Sequence, residues 1–178
     1  MVAEAEDTED ESYAIDCPVL VTERLVMRAP REGDIPQLVE LADNRHVAEM
    51  LARMPHPYGE AEGRAFLAMT KSRRAGIAYA LTLAGTDTFV GCAGLNTTDR
   101  GLELGYWIGE PHWKKGYATE AAHALVDLAF QKTSIQVLHA STRVINPDSR
   151  RVIHKCGFQY ACQGMLNSIC AGQVPVER

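Results

Sequence analysis

The stretch HWKKGYATEAAHALVDLAF, His112–Phe130, decides how this chain is read. Gly116 and Ala118 stand where a helix begins, and Lys114 and Lys115 put positive charge beside them. Beyond them Ala121, Leu125, Leu128 and Ala129 recur at the i, i+4, i+7, i+8 spacing of one helical face. Upstream, LELGYWIG at Leu102–Gly109 alternates as a strand does. The first N–H groups of a helix lack partners within it, and the helix dipole leaves them partly positive. Small residues at that point let an anion approach the backbone, and the Thr119 hydroxyl is one more donor. Strand, glycine loop and helix therefore read as a phosphate-binding unit, although a plain turn fits the segment taken alone. The Walker pattern GxxxxGK[ST] and the dinucleotide pattern GxGxxG are both absent from it.

Working outward, the alternation in LVTERLVMRAP gives a strand near Leu25–Arg28. Asp34 as N-cap and Pro36 in the first turn open a helix that carries Ile35, Leu38, Leu41 and Ala42. MPHPYG breaks the chain before a second helix, EAEGRAFLAMTKSRR. IAYALTLA and TFVGCAGLN are strands separated by the hairpin signal GTD, and Arg100–Gly101 turns the chain into LELGYWIG. After the central helix, IQVLHASTRVI is a strand. NPDSRRVIHKCG is a helix with Asn146 as N-cap, Pro147 at its first position and Gly157 at its end. FQYACQGM and the closing QVPVER are the remaining strand candidates. The order β-α-α-β-β-β-α-β-α-β specifies an α/β fold of the mixed α+β kind, with helices covering a mixed sheet.

Composition narrows the function classes. The chain has 178 residues, 46% of them hydrophobic, and no apolar run of the roughly 18–20 residues a membrane span needs. Its first residues are acidic, unlike a secretory signal, so a soluble cytoplasmic protein is expected. EAEDTEDE at Glu4–Glu11 holds six of the acids behind the net charge of −5, leaving the body near neutral. Residues 1–18 are expected to be a disordered acidic tail and 19–178 a single domain. No basic excess points to nucleic acid. Five cysteines without a CxxC pair argue against a disulfide framework or a zinc site, and Cys92 and Cys156 read as buried thiols.

LELGYWIGEPHWKKGYATEAAHALVDLAF and NPDSRRVIHKCGF together resemble the GNAT superfamily of acyl-CoA-dependent N-acetyltransferases. With the opening VTERLVMRAPREGDIPQLVEL they look most like its RimJ/RimL branch of ribosomal-protein N-terminal acetyltransferases, over about Val19 to Phe158. The family's loop is written Q/R-x-x-G-x-G/A. Here it runs Trp113 to Ala118, with Trp113 in first place and Lys114 where glycine is usual. The resemblance implies a mostly antiparallel sheet with about four helices. It splays between its fourth and fifth strands, those holding Glu103–Ile108 and Val137–Val144. The pantetheine arm of acetyl-CoA would lie in the opening and bond the backbone near Trp107 and Ile108. The pyrophosphate would sit on Lys114, Lys115, Gly116, Tyr117, Ala118 and Thr119, with Gly116 clearing the amides. Asn146 would touch the pantetheine arm, and Arg150 and Arg151 a coenzyme phosphate, although a solvated helix face fits these arginines as well.

The implied reaction is direct transfer of an acetyl group to a primary amine, either a protein N-terminal α-amine or a small amine. No metal is called for. Glu103 interrupts an apolar strand at a position where some members hold a general base, and a solvated or ion-paired carboxylate fits it as well. Many members place a proton-donating tyrosine where this chain has Ile153, and Ser149 matches the donor of the RimL-like branch. The Arg53–Gly63 segment corresponds to the acceptor wall, with His56 and Tyr58 as its contacts, although a packed loop fits the segment equally. A non-catalytic acyl-CoA-binding domain is the alternative. Pro175 cannot donate to a ladder, so the final strand is expected to be shortened, or the chain truncated. An open edge there would favour a homodimer.

Overall fold

The computed structural model describes residues 16–72 and 76–178. Most of the acidic tail expected at 1–18 lies outside the described residues. Six strands form the first sheet in the order β1 (Leu20–Val21), β2 (Leu25–Arg28), β3 (Gly76–Leu83), β4 (Phe89–Thr98), β5 (Gly101–Ile108) and β6 (His139–Ala140). A second sheet has the order β7 (Thr142–Arg143), β9 (Gly172–Glu177), β8 (Gln163–Ser168). Every pairing is antiparallel except β5 with β6. The helices are α1 (Ile35–Ala42), the single turn α2 (Arg45–Ala48), α3 (Glu60–Ser72), α4 (Tyr117–Lys132) and α5 (Pro147–Lys155). Four of them have eight or more residues.

The first sheet is covered on both faces. Ala121, Ala122, Leu125, Leu128 and Ala129 of α4 are buried against Leu25, Tyr79, Leu81, Leu95, Leu102 and Leu104. On the other face Ile35 and Leu38 of α1 and Leu67 of α3 meet Ala80, Phe89 and Cys92, with Trp107 packed at the margin. Strand alternation explains the division: Leu102 and Leu104 of β5 face α4, and Glu103 and Trp107 face the other way. The buried Asp34 is paired with Arg28 through two hydrogen bonds of 2.8 and 2.7 Å and accepts from the Arg31 amide, tying β2 to the start of α1.

The strand expected over Val137–Val144 is observed as two short pieces. β6 continues the first sheet, pairing Glu103 with His139 and Leu104 with Ala140. After Ser141 the chain leaves, and β7 pairs with β9 instead. β5 therefore keeps its full ladder with β4 but loses its other neighbour beyond Leu104. This is the expected splay, made by one chain segment passing from one sheet to the next.

The final strand corrects an expectation. β9 spans six residues, pairs with β8 from Gly172 through Glu177, and lies between β8 and β7. It is not shortened, and β7 covers the edge on which a homodimer was expected at Val176 and Glu177. Pro175 fits because its carbonyl accepts from the Val144 amide at 3.2 Å. The N–H it lacks would point to that same side, where the β7 ladder has run out. The strand expected from Phe158 starts only at Gln163.

Candidate active site

A cleft of about 1260 Å³ opens where β5 and β7 part. Its walls are Glu103–Ile108 of β5, the loop into α4, the first turn of α5, and a far end made by Met50–Pro55, Tyr58, Phe66, Met69 and Ile169.

The loop is held in a conformation that its sequence dictates. Trp113 Nε1 donates to the Ile108 carbonyl at 2.6 Å, folding the chain back on the end of β5. Lys114 has φ +60° and Gly116 φ +85°. The left-handed backbone at Lys114 accounts for glycine being usual at its place in the resembling family. Gly116 is the N-cap of α4, with no side-chain cap, and its carbonyl takes the Glu120 amide at 3.1 Å. The amides of Tyr117, Ala118 and Thr119 thus have no partner within the helix. Lys114, Gly116, Tyr117, Ala118 and Thr119 all line the cleft, whereas Lys115 does not.

Arg24, which no motif singles out, fixes this loop from behind. Its guanidinium donates to the Lys115 carbonyl at 2.8 Å and to Glu120 Oε2 at 2.8 Å, and it lies 5.1 Å from the Tyr117 ring centroid. Glu120 also accepts from the Thr22 hydroxyl at 2.6 Å and the Arg24 amide at 2.8 Å. Burial works against the Glu120 charge, yet these donors outweigh it and hold the carboxyl below its ordinary value. A Cβ on Gly116 would sit 3.1 Å from Arg24 Nη2. The positive φ at Gly116 and the approach of Arg24 each disfavour a side chain at this position.

At the first turn of α5, Asn146 Oδ1 caps the Ser149 amide at 3.0 Å, as its position predicts. Ser149 Oγ lies 2.8 Å from the hydroxyl of Tyr106, a β5 residue whose phenol is pushed up to about 12 by burial. Tyr106 follows the alternation of Leu102 and Leu104 and so reads as core. The one clue to more is that a buried phenol needs a hydrogen-bond partner. Gly109 donates its amide to Val90, so strand alternation directs the backbone groups of Tyr106 and Ile108 away from β4 and those of Trp107 toward it. The edge turned to the cleft belongs to Tyr106 and Ile108, with the Ile108 carbonyl already accepting from Trp113.

Glu103 lines the cleft and is ion-paired with Arg100 at 3.3 Å. The same guanidinium donates to Ser141 Oγ at 3.3 Å, at the point where the chain changes sheets. Tyr58 lines the far end, is buried, and has its phenol pushed up to about 12 by that burial. His56 lies outside the lining, with Nδ1 3.3 Å from Asp43. Arg150 is also outside it, bonded to Glu177 at 2.7 Å and to the Val144 carbonyl at 3.1 Å, where it binds α5 to β9. Arg151 and Lys155 are the basic residues of α5 in the wall. His112 lines the cleft too, and burial and then Lys115 hold its imidazole below the ordinary value. The far end is roofed by the β8–β9 hairpin: Ser168 donates to the Leu51 carbonyl and the Ile169 amide to that of Ala52, each at 2.8 Å. Among the described residues no cluster of His, Cys, Asp and Glu could hold a metal ion, and no helix is long and apolar enough to cross a membrane.

Residues 24–159 match the family described as Acetyltransferase (GNAT) domain. An uncharacterized N-acetyltransferase, p20, of Bacillus licheniformis is 30% identical over 84 residues, which span 46% of this chain and 47% of that protein. The fold is shared with solved structures, among them these two. A GNAT-family acetyltransferase from Bacillus anthracis superposes with TM-score 0.76 at 20% identity, covering 90% of this chain and 95% of its own. RimL, a ribosomal L7/L12 alpha-N-protein acetyltransferase in complex with coenzyme A, superposes with TM-score 0.71 at 19% identity, covering 89% and 95%.

Proposed function

The chain belongs to the acetyltransferase (GNAT) family of N-acetyltransferases, enzymes that use acetyl-CoA, and from that premise we propose that it transfers the acetyl group to a primary amine by direct attack. The acceptor is a protein N-terminal α-amine or a small amine, the first in keeping with the resemblance to the RimJ/RimL branch and with the overlap on RimL. The cytoplasm, where such amines and acetyl-CoA meet, is the proposed location.

The observation that carries the proposal is the junction of an uncapped helix start with a half-open strand edge. Lys114 and the amides of Gly116 to Thr119 suit a pyrophosphate. The cleft-facing backbone of Tyr106 and Ile108 suits an amide-bearing arm laid alongside β5, and Lys155 and Arg151, the latter ion-paired with Asp148, suit a further phosphate. Bound acetyl-CoA supplies an activated thioester. Glu103, directly or through water, takes a proton from the acceptor nitrogen, and its ion pair with Arg100 holds the carboxylate in the cleft wall. Ser149 gives its hydroxyl proton to the departing sulfur. The Asn146 cap on the Ser149 amide fixes the backbone from which that hydroxyl projects.

One observation favours the non-catalytic alternative: the Glu103 carboxylate is already engaged by Arg100. Thiol release measured with acetyl-CoA and a panel of N-terminal peptides and amines decides between the two. Turnover on any acceptor supports the enzyme, and calorimetric binding of acetyl-CoA without turnover on all of them supports a binding domain.

A further inference from the structure

Tyr106 is a polar residue of the cleft to which the chemistry above gives no task. Its ring packs against the core shared by β5 and α4. Its hydroxyl crosses to α5, 2.8 Å from Ser149 Oγ and 3.2 Å from the Ser149 carbonyl oxygen. A carbonyl oxygen only accepts, whereas each hydroxyl carries one hydrogen and also accepts. The three atoms therefore admit two arrangements. In one, Ser149 donates to Tyr106 and Tyr106 donates to the carbonyl. In the other, Tyr106 donates to Ser149 Oγ, and the serine hydrogen is free to point into the cleft that Ser149 lines. A negatively charged sulfur in the cleft selects the second, because it needs a hydrogen aimed at it. The exchange requires only a turn of two hydroxyl rotors, with both heavy atoms held in place.

We infer that Tyr106 is a positioning residue for Ser149: by donating to Ser149 Oγ it directs the serine proton at the leaving sulfur and stabilises the serine oxygen as that proton departs. The inference rests on Ser149 being the proton donor. In the step, the bond from acceptor nitrogen to acetyl carbon forms and the carbon–sulfur bond breaks. The sulfur keeps the electron pair and takes the Ser149 proton. Ser149 is made whole by the Tyr106 proton, and the acceptor nitrogen gives up one proton to Glu103, which passes it to solvent, from which Tyr106 is reprotonated. Burial keeps the phenol protonated through neutral pH, so its hydrogen is available throughout.

Tyr106→Phe removes one oxygen and leaves the ring in its packing. It is compared with Ser149→Ala and the double variant in single-turnover acetyl transfer, after thermal melts confirm folding. The thiol of bound coenzyme A is titrated separately by its thiolate absorbance, a readout independent of turnover. Tyr106→Phe is expected to slow the chemical step about three- to tenfold, the size of one net hydrogen bond. It is also expected to raise the pKa of the bound thiol by about half to one unit. On the Ser149→Ala background it should do neither. An equal loss on that background, or an unchanged thiol pKa, overturns the inference. Full turnover in Ser149→Ala removes the proton-donor reading and this inference with it. A slowed Ser149→Ala beside a wild-type Tyr106→Phe removes this inference alone.

Discussion

The two ends of the cleft are built of different material. The loop end is backbone: a left-handed Gly116, three helix amides without partners in the helix, and a strand edge whose neighbour has left. The hairpin end is side chain: Met50, Met54, Phe66, Met69 and Ile169 converge from separate segments and are roofed by two hydrogen bonds from the β8–β9 hairpin. A backbone site recognises what all coenzyme molecules share and tolerates little change of φ or of close contact. A surface of methionine and aliphatic side chains adapts, since the unbranched thioether repacks around different shapes. Under the proposed function the first end suits one ligand and the second a kind of ligand, and that division can be tested from both sides.

The sharpest test lies between the two ends. Ser149→Ala should slow single-turnover transfer by up to roughly 10²–10⁴-fold, the range a positioned proton donor supplies, while acetyl-CoA affinity measured by calorimetry stays at the wild-type value. Next in size, Gly116→Val should weaken acetyl-CoA binding. The left-handed backbone alone costs a residue with a Cβ roughly 1–2 kcal/mol, about five- to thirtyfold, and the new Cβ meets Arg24. Unchanged affinity in a folded Gly116→Val would erase the distinction between the ends.

A third test uses acid. Because the Glu120 carboxyl is held below its ordinary value in the folded chain, it contributes stability above its unfolded pKa and loses it as pH falls through the folded one. Glu120→Gln should therefore lower the melting temperature at neutral pH, by an amount corresponding to about 1–3 kcal/mol for a charged hydrogen-bond partner removed. The gap to wild type should close on acidification below the carboxylate range. A gap independent of pH would mean that shape, not charge, holds the loop. The smallest effect is expected at the other end. Met69→Ala, at a residue 45% exposed, should leave acetyl-CoA affinity and stability nearly unchanged and alter only the ranking of acceptors by KM. A fall in coenzyme affinity there would show the two ends to be one site.

What the sequence revealed follows the same division. The α4 helix, its glycine start and the Asn146–Pro147 start of α5 are local signals, carried by spacing within a few residues, and all three stand in the structure. Glu103 and Ser149 are both brought to the cleft wall. Longer-range facts were hidden. The break at Ser141 depends on β9 arriving from the far end of the sequence to claim β7. Tyr106 obeys core alternation, so periodicity assigns it to packing. Arg150 looks available for a phosphate until Glu177 is placed beside it, and His56 until Asp43 is. Charged side chains are decided by their partners, and partners distant in sequence leave no pattern in it.

The clamp of Arg24 on the loop has a consequence for how the molecule comes into being. Its partner Glu120 is 96 residues away along the chain. Contacts that distant form late, because the intervening chain loses its freedom before the contact rewards it. A half-finished chain can have α4 and its glycine start in place and still lack the clamp behind them. Coenzyme affinity, followed by stopped-flow during refolding, should therefore rise with the last kinetic phase and not with the appearance of helix. The ligand would then serve as a probe of completed topology.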